Sequence, residues 1–146
     1  MGNKQQEPQQ AAAIPFRRKD GKLRICLIHK PDNGAWGIPK GFIDPGDTKR
    51  GTALKESREE AGIHGRIVGD RIGTYEYSKW GGTYTVAVFL MEVTDQDTDW
   101  DEDHYRERHW LKPGEARKVA KGRPFEKVLG KALDELAAMD GDESAD

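Results

Sequence analysis

Between Pro31 and Asp47 the chain reads "PDNGAWGIPKGFIDPGD", with four glycines and three prolines in seventeen residues. So dense a run of turn formers continues neither a helix nor a strand, so it is a long structured loop, and loops of that length inside a compact domain usually carry function. The helix it feeds has an unusual face. In "LKESREEAGI", Leu54 to Ile63, the side chains of Glu56, Glu59 and Glu60 fall three and four positions apart and so share a side. Like charges at that spacing repel by roughly 0.2–0.5 kcal/mol per pair. Lys55 and Arg58 are interleaved, and on the helix alone a solvated surface would be the simpler reading. The loop changes that balance. A turn through Pro39, Gly41 and Gly46 can bring backbone carbonyls to the helix start, and hard divalent cations take carboxylate, carbonyl and water oxygens together.

Around this unit the pattern is that of one mixed α/β domain. "AAAIPFRR" and "LRICLIHK" read as strands joined through Asp20-Gly21. The helix is expected over 52–61, with Ala53, Ser57 and Ala61 keeping one side small and Gly62 placed for a left-handed cap. Strands are expected over 65–78 and 83–94 with Gly81-Gly82 as the turn, and "TYTVAVFLMEV" should be central. "RERHWL" reads as a short strand, Pro113 to Ala120 as a short helix, and Phe125, Val128, Leu129, Ala132, Leu133, Leu136 and Ala137 as the apolar face of a last helix. The domain is expected over residues 11–139, with a disordered Gln-rich tail over 1–10 and an acidic tail over 140–146.

Charge and cysteine content narrow the partners. Net charge is −2, so no general basic field exists for nucleic acid as the main partner. No run of about 18 apolar residues occurs, so no membrane span is expected. The start lacks the apolar core of a secretion signal, and Cys26 is the single cysteine, which together suggest a reducing cytoplasm. Cys26 reads as a small buried hydrophobe. His104 and His109 have no ligand spacing with cysteine, so zinc is not expected, and His64 is expected at the surface.

The stretch "GFIDPGDTKRGTALKESREEAGI", Gly41 to Ile63, resembles the box of the Nudix hydrolase family, Gly-x5-Glu-x7-Arg-Glu-U-x-Glu-Glu-x-Gly-U, where U is a bulky apolar residue. Gly41, Glu56, Glu59, Glu60, Gly62 and Ile63 fit without a gap. Asp47 stands in place of Glu, Lys55 in place of Arg, and Ser57 in place of the apolar residue. The resemblance implies an α/β/α sandwich with a mixed β-sheet. It also implies a brace between Asp47 and Lys55, looser than Glu with Arg because lysine lacks the guanidinium fork. It further implies Mg²⁺ or Mn²⁺ held by Glu56, Glu59, Glu60 and the backbone carbonyl of Lys40, with Glu59 as general base, and hydrolysis of a nucleoside diphosphate linked to some group X.

The flanks suggest the substrate. "WGIPKG" is similar to the Trp-x-x-Pro-Lys-Gly stretch of diadenosine polyphosphate hydrolases, and "WDEDHYRERHWLKPGEARKVA" is similar to the diphosphoinositol polyphosphate phosphohydrolase branch. Both imply a small-molecule substrate with a long phosphate chain. A dinucleoside polyphosphate such as diadenosine tetra- to hexaphosphate comes first, a diphosphoinositol polyphosphate second, and an oxidised nucleoside triphosphate of the 8-oxo-dGTP type third. A nucleotide-binding regulatory module is the non-enzymatic alternative, disfavoured because all three glutamates are present. Candidate phosphate contacts are Arg17, Arg18, His29, Lys30 and Lys40, with Arg106 and Arg108 further on; Tyr75, Tyr77, Trp80 and Tyr84 are candidates to stack on a base. Trp36 could brace the loop or stack on a base, with packing the simpler reading, and Trp110 is expected in the core. The acidic loop "DTDWDEDH" could add a metal carboxylate, though a solvated loop is the simpler expectation.

Overall fold

A computed structural model describes residues 7–140. Seven strands form one mixed sheet: β1 (Gln10–Lys19), β2 (Lys22–Lys30), β3 (Ala35–Gly37), β4 (Lys40–Phe42), β5 (Ile63–Lys79), β6 (Gly82–Gln96) and β7 (Glu107–Leu111). Three helices complete the described residues: α1 (Lys49–Ala61), α2 (Pro113–Ala120) and α3 (Glu126–Met139). The main path runs β3-β2-β1-β6-β5; β1 and β6 are parallel, and every other pairing is antiparallel.

Period-two alternation sorts β1 and β6 onto two cores. Ala12, Ile14, Phe16, Val86, Val88 and Leu90 face α2 and α3; Ala11, Ala13, Ala87, Phe89 and Met91 face α1. Both faces of these strands are therefore buried, giving an α/β/α layering. Ala11 and Ala13 of β1 share a core with Ala53 and Ala61 of α1, so this helix lies close on the sheet. Ser57 is fully buried and its hydroxyl donates to the Ala53 carbonyl at 2.8 Å, which explains why a small residue is accommodated there.

Several boundaries differ from those expected. The sheet begins earlier than residue 11: Gln10 is already in β1, and Gln9 donates its N–H to the Thr85 carbonyl at 3.1 Å while its side chain accepts from the Thr85 N–H at 2.8 Å. Polar glutamines serve here because the Gln9 amide oxygen satisfies a strand N–H and the buried Gln10 amide oxygen accepts from the Tyr77 hydroxyl. The rest of the expected tails, residues 1–6 and 141–146, lies outside the described residues. Helix α1 starts at Lys49, capped by the Thr48 hydroxyl, which accepts from the Gly51 N–H at 2.9 Å. The long loop is not without strands, since β3 and β4 form inside it. The β5–β6 turn falls on Trp80-Gly81, both left-handed at φ 53° and 75°, and Gly82 already pairs with Lys79. Ala137 of α3 is exposed although it follows the apolar spacing.

Gly62 caps α1 in the left-handed conformation, φ 63° and ψ 37°, and its N–H returns to the Arg58 and Ser57 carbonyls. A Cβ there would stand 2.9 Å from the Trp100 side chain. Gly62→Ala is expected to cost roughly 1–2 kcal/mol of stability, from the left-handed strain plus displacement of Trp100, read as a lower urea midpoint. An unchanged midpoint would remove the cap from the account of how α1 is held.

Candidate active site

The turn formers of the loop do one structural job: they fold β4 against β1 so that Lys40 and Gly41 cross the start of the acidic face of α1. The crossing is close. A Cβ on Gly41 would lie 2.3 Å from the carboxyl carbon of Glu56, so the Glu56 carboxylate rests where any other residue would put its side chain. The Lys40 N–H donates to Glu60 Oε1 at 3.3 Å. Glu60 is only 6% exposed, and burial pushes its carboxyl up to about 8. Glu56 is also raised, again mainly by burial, and is hydrogen-bonded to Glu60. With Glu60 protonated, its O–H donates to Glu56, so one proton holds together two acids that would otherwise repel.

More acid and one arginine surround this pair. The Glu102 N–H donates to the Glu59 carbonyl at 3.2 Å and the Trp100 indole N–H donates to the Glu60 carbonyl at 3.0 Å, which ties the acidic loop to the last turn of α1. Glu102 is thereby close enough to raise both Glu56 and Glu60. Arg106 donates to Glu102 and stands 4.0 Å from Glu60. Oxygen-rich, hard and short of positive charge, this donor set fits a divalent cation: the proton shared by Glu56 and Glu60 occupies the role an ion would take, and Glu59 and Glu102 flank it. Glu59 stands somewhat apart; its carboxylate accepts no hydrogen bond among the described residues and does not line the cleft described next.

The pair opens into a cleft of about 510 Å³. Of the residues expected at a site, it gathers Glu56, Glu60, Lys30, Lys40, Gly41 and Tyr77, together with Trp36, Tyr75, Trp80 and Arg106. Lys40 is held in place: its ammonium donates to the Tyr77 hydroxyl at 3.1 Å and lies 4.4 Å from the Tyr77 ring, and that hydroxyl donates to Gln10 Oε1 at 2.8 Å. Burial raises the Tyr75 hydroxyl, which keeps it neutral against Phe125.

Other expected contacts lie elsewhere. Arg17 and Arg18 sit on opposite faces at the far end of β1, seven residues or roughly 23 Å of strand from Gln10 in the cleft. Arg17 lies 3.9 Å over the Trp110 ring, its Nε buried without a partner, and Arg18 pairs with Asp140 at 3.0 Å. Arg108 donates to the Ala61 and Gly62 carbonyls and covers Trp100, so it finishes the α1 cap. His29 lies behind Trp36, bonded to Glu107 at 3.3 Å. Tyr84 packs behind Phe42, Tyr77 and Trp80. The expected Asp47–Lys55 brace is replaced: Lys55 donates to Asp44 Oδ2 at 3.2 Å. Asp47 precedes the helix cap Thr48, and the seven helical residues 49–55, roughly 10 Å, carry Lys55 away from it, which a short aspartate cannot span. The Lys55–Asp44 hydrogen bond raises the lysine.

Three further expectations resolve in the same way. Trp110 is half-buried, with its indole N–H donating to Gln96 Oε1 at 2.9 Å. His64 is not a loose surface residue but pairs with Asp97 at 2.8 Å. Cys26 is fully buried, and its thiol is pushed up to about 12 by burial, as an inert core residue requires. Missed by sequence reasoning were Asp44, Glu102, Arg123 and Phe42; only Glu102 had a signal, the acid-rich loop, whereas the others depend on where loops return in space.

The NUDIX domain family model matches residues 7–133. Among curated proteins, diphosphoinositol polyphosphate phosphohydrolase 3-alpha of Mus musculus is 33% identical over 113 residues, covering 75% of this chain and 66% of that protein, so the chain spans just under two thirds of its length. The RNA pyrophosphohydrolase of Sphingopyxis alaskensis is 30% identical over 141 residues, covering 84% of this chain and 87% of that protein. Among solved structures, a C. elegans Ap4A hydrolase in a binary complex superposes with a TM-score of 0.77 at 25% identity, covering 90% of this chain and 99% of that one.

Proposed function

The chain belongs to the NUDIX domain family, and we propose that it is a divalent-metal-dependent pyrophosphohydrolase whose preferred substrate is a dinucleoside polyphosphate. The observation that carries this reading is the cleft itself. A carboxylate pair, Glu60 buried and Glu56 half-buried, ends it on one side, Lys30, Lys40, Lys79, Arg106 and Arg123 line its path, and aromatic surface opens at its mouth. A chain of phosphates needs cations at successive positions, and Phe42 and Trp80, 46% and 72% exposed, offer faces on which a base can stack. The similarity to the Ap4A hydrolase supports the same choice.

Glu56, Glu59, Glu60 and the Lys40 carbonyl would hold Mg²⁺ or Mn²⁺, with Glu102 beside them. The ion supplies charge neutralisation on the phosphate and a lowered pKa for water. The protein's own residues do the rest. Lys40, pre-oriented by Tyr77, takes a phosphate oxygen as a point charge. Arg106 offsets the charge of Glu60 and Glu102 and lines the cleft, where its cation can face a phosphate. Glu59, whose carboxylate carries no partner among the described residues and which stands beside the pair just outside the cleft lining, would accept the proton of a water held between it and the pair as that water attacks phosphorus; a new P–O bond forms and the bridging anhydride P–O bond breaks. The single buried cysteine supports a reducing compartment such as the cytoplasm.

A second substrate, a diphosphoinositol polyphosphate, is favoured by the row of cleft cations and the mouse relative. A hydrolysis panel separates the two: diadenosine tetra- to hexaphosphate, diphosphoinositol polyphosphate, ADP-ribose, 8-oxo-dGTP and 5′-triphosphorylated RNA. The dinucleoside compounds are expected to give the highest kcat/KM, and Trp80→Ala is expected to lower it for them while sparing diphosphoinositol polyphosphate. Another compound winning by about tenfold, roughly 1.4 kcal/mol of transition-state preference, overturns the choice.

A further inference from the structure

A second group of metal-binding side chains lies outside the cleft, and no spacing in the sequence reveals it. Strands β2 and β7 pair with Leu27 opposite His109 and His29 opposite Glu107. Side chains at 27 and 29, and at 107 and 109, point to one face, so the register makes His29, Glu107 and His109 neighbours although 78 residues separate the first two. Their atoms converge. His29 Nδ1 lies 3.3 Å and His109 Nε2 lies 3.0 Å from the same oxygen, Glu107 Oε1, and all three ligand atoms fall within 4.8 Å of one another. Among the described residues this is the group of three that meets that separation.

We propose that His29 Nδ1, His109 Nε2 and Glu107 form a site for a borderline divalent transition ion, zinc foremost, separate from the hydrolytic centre. Tetrahedral zinc bonds of roughly 2.0–2.1 Å require ligand atoms roughly 3.3 Å apart, a spacing the two histidine–glutamate contacts at 3.3 and 3.0 Å already have, with the two imidazole nitrogens within 4.8 Å of each other. Two imidazoles and one carboxylate are the donors that suit zinc, nickel or copper, whereas magnesium prefers all-oxygen sets such as the α1 acids. Two divalent ions can thus be sorted between the two places. Trp36 walls one side, its ring 4.5 Å from that of His29 and 5.1 Å from that of His109. On the other side Glu107 is half exposed, which leaves room for water as the fourth ligand. Binding requires each imidazole to carry its proton on the far nitrogen, Nε2 of His29 and Nδ1 of His109. Because Trp36 also lines the cleft, an ion here fixes one cleft wall as well as tying β7 to β2.

The test is zinc titration calorimetry on the full chain in saturating Mg²⁺, so that the α1 carboxylates are already filled, alongside His29→Gln, His109→Gln and, as a surface control, His104→Gln. One zinc per chain is expected, with affinity lowered tenfold or more in the first two variants and unchanged in the third, and zinc should raise the Tm of wild type and His104→Gln only. Should either ligand variant fail to fold, Cu²⁺ electron paramagnetic resonance on the wild type decides the matter, since this site places two imidazole nitrogens on one ion. No zinc uptake, uptake unaltered by His29→Gln and His109→Gln, or a copper signal with fewer than two nitrogens overturns the proposal.

Discussion

Glu60→Gln is expected to lower kcat/KM for diadenosine polyphosphates by roughly a hundred- to ten-thousand-fold while making the metal-free protein more stable at pH 8. The two effects have one origin. Glu60 is buried beside Glu56, and its carboxyl is raised from 4.5 to about 8. Between those values the folded chain keeps a proton that the unfolded chain has released. Stability in chelator must then fall as pH rises from about 4.5 to about 8 and level off above. The loss is at most on the order of 5 kcal/mol, at about 1.4 kcal/mol per pH unit, with the attraction of Arg106 for the ionised form already included in the raised value. Glutamine keeps the shape and removes the ionisation, so its pH–stability curve should be flatter. Urea melts in chelator from pH 5 to 9, with and without the substitution, check this slope; steady-state hydrolysis in excess Mg²⁺ checks the activity. Activity within threefold of wild type would remove Glu60 from the site, and a stability that stays level with pH over that window would show the carboxyl to be ionised throughout.

Gly41→Ala should be nearly as damaging, though it changes no charge. The added methyl would meet the Glu56 carboxyl carbon at 2.3 Å and its oxygens at 2.4 and 2.7 Å. The carboxylate can swing away, so the fold should survive with a loss of roughly 1–3 kcal/mol. The displaced Glu56 then no longer meets Glu60. Since an ångström of misplacement can cost about a hundredfold in rate, kcat is expected to fall by at least that factor, with a rise in the Mg²⁺ concentration needed for half-maximal activity. The informative comparison is Gly37→Ala, in the same loop, where a Cβ meets nothing within 4 Å and activity should be kept. Equal losses in both variants would point to the loop's general stiffness rather than to the Gly41–Glu56 contact.

The acidic helix, its glycine cap, the hairpin at Asp20-Gly21 and the central strand "TYTVAVFLMEV" were legible in the chain because each rests on local rules: a period of 3.6 or 2, a left-handed residue at a helix end, turn chemistry. The shared face of Glu56 and Glu60 follows from the same periodicity, as does the mixed α/β layout. Contacts set by the return of distant segments were not legible. Asp44 rather than Asp47 meets Lys55 because the loop doubles back along the helix, and a run of Gly and Pro specifies that the chain turns but not where it returns. Arg17 and Arg18 resemble phosphate ligands in sequence, yet strand length carries them to the other end of β1. His29, Glu107 and His109 meet only through the β2–β7 register, which is fixed by burial of Ile25 and Leu27 beneath α2 and α3, not by anything near the histidines. The sequence by itself determined which side chains ionise and which face each occupies within its own element. Tertiary structure alone decided which of those charges share a buried space, because sheet pairing and loop closure are settled by the packing of the whole core.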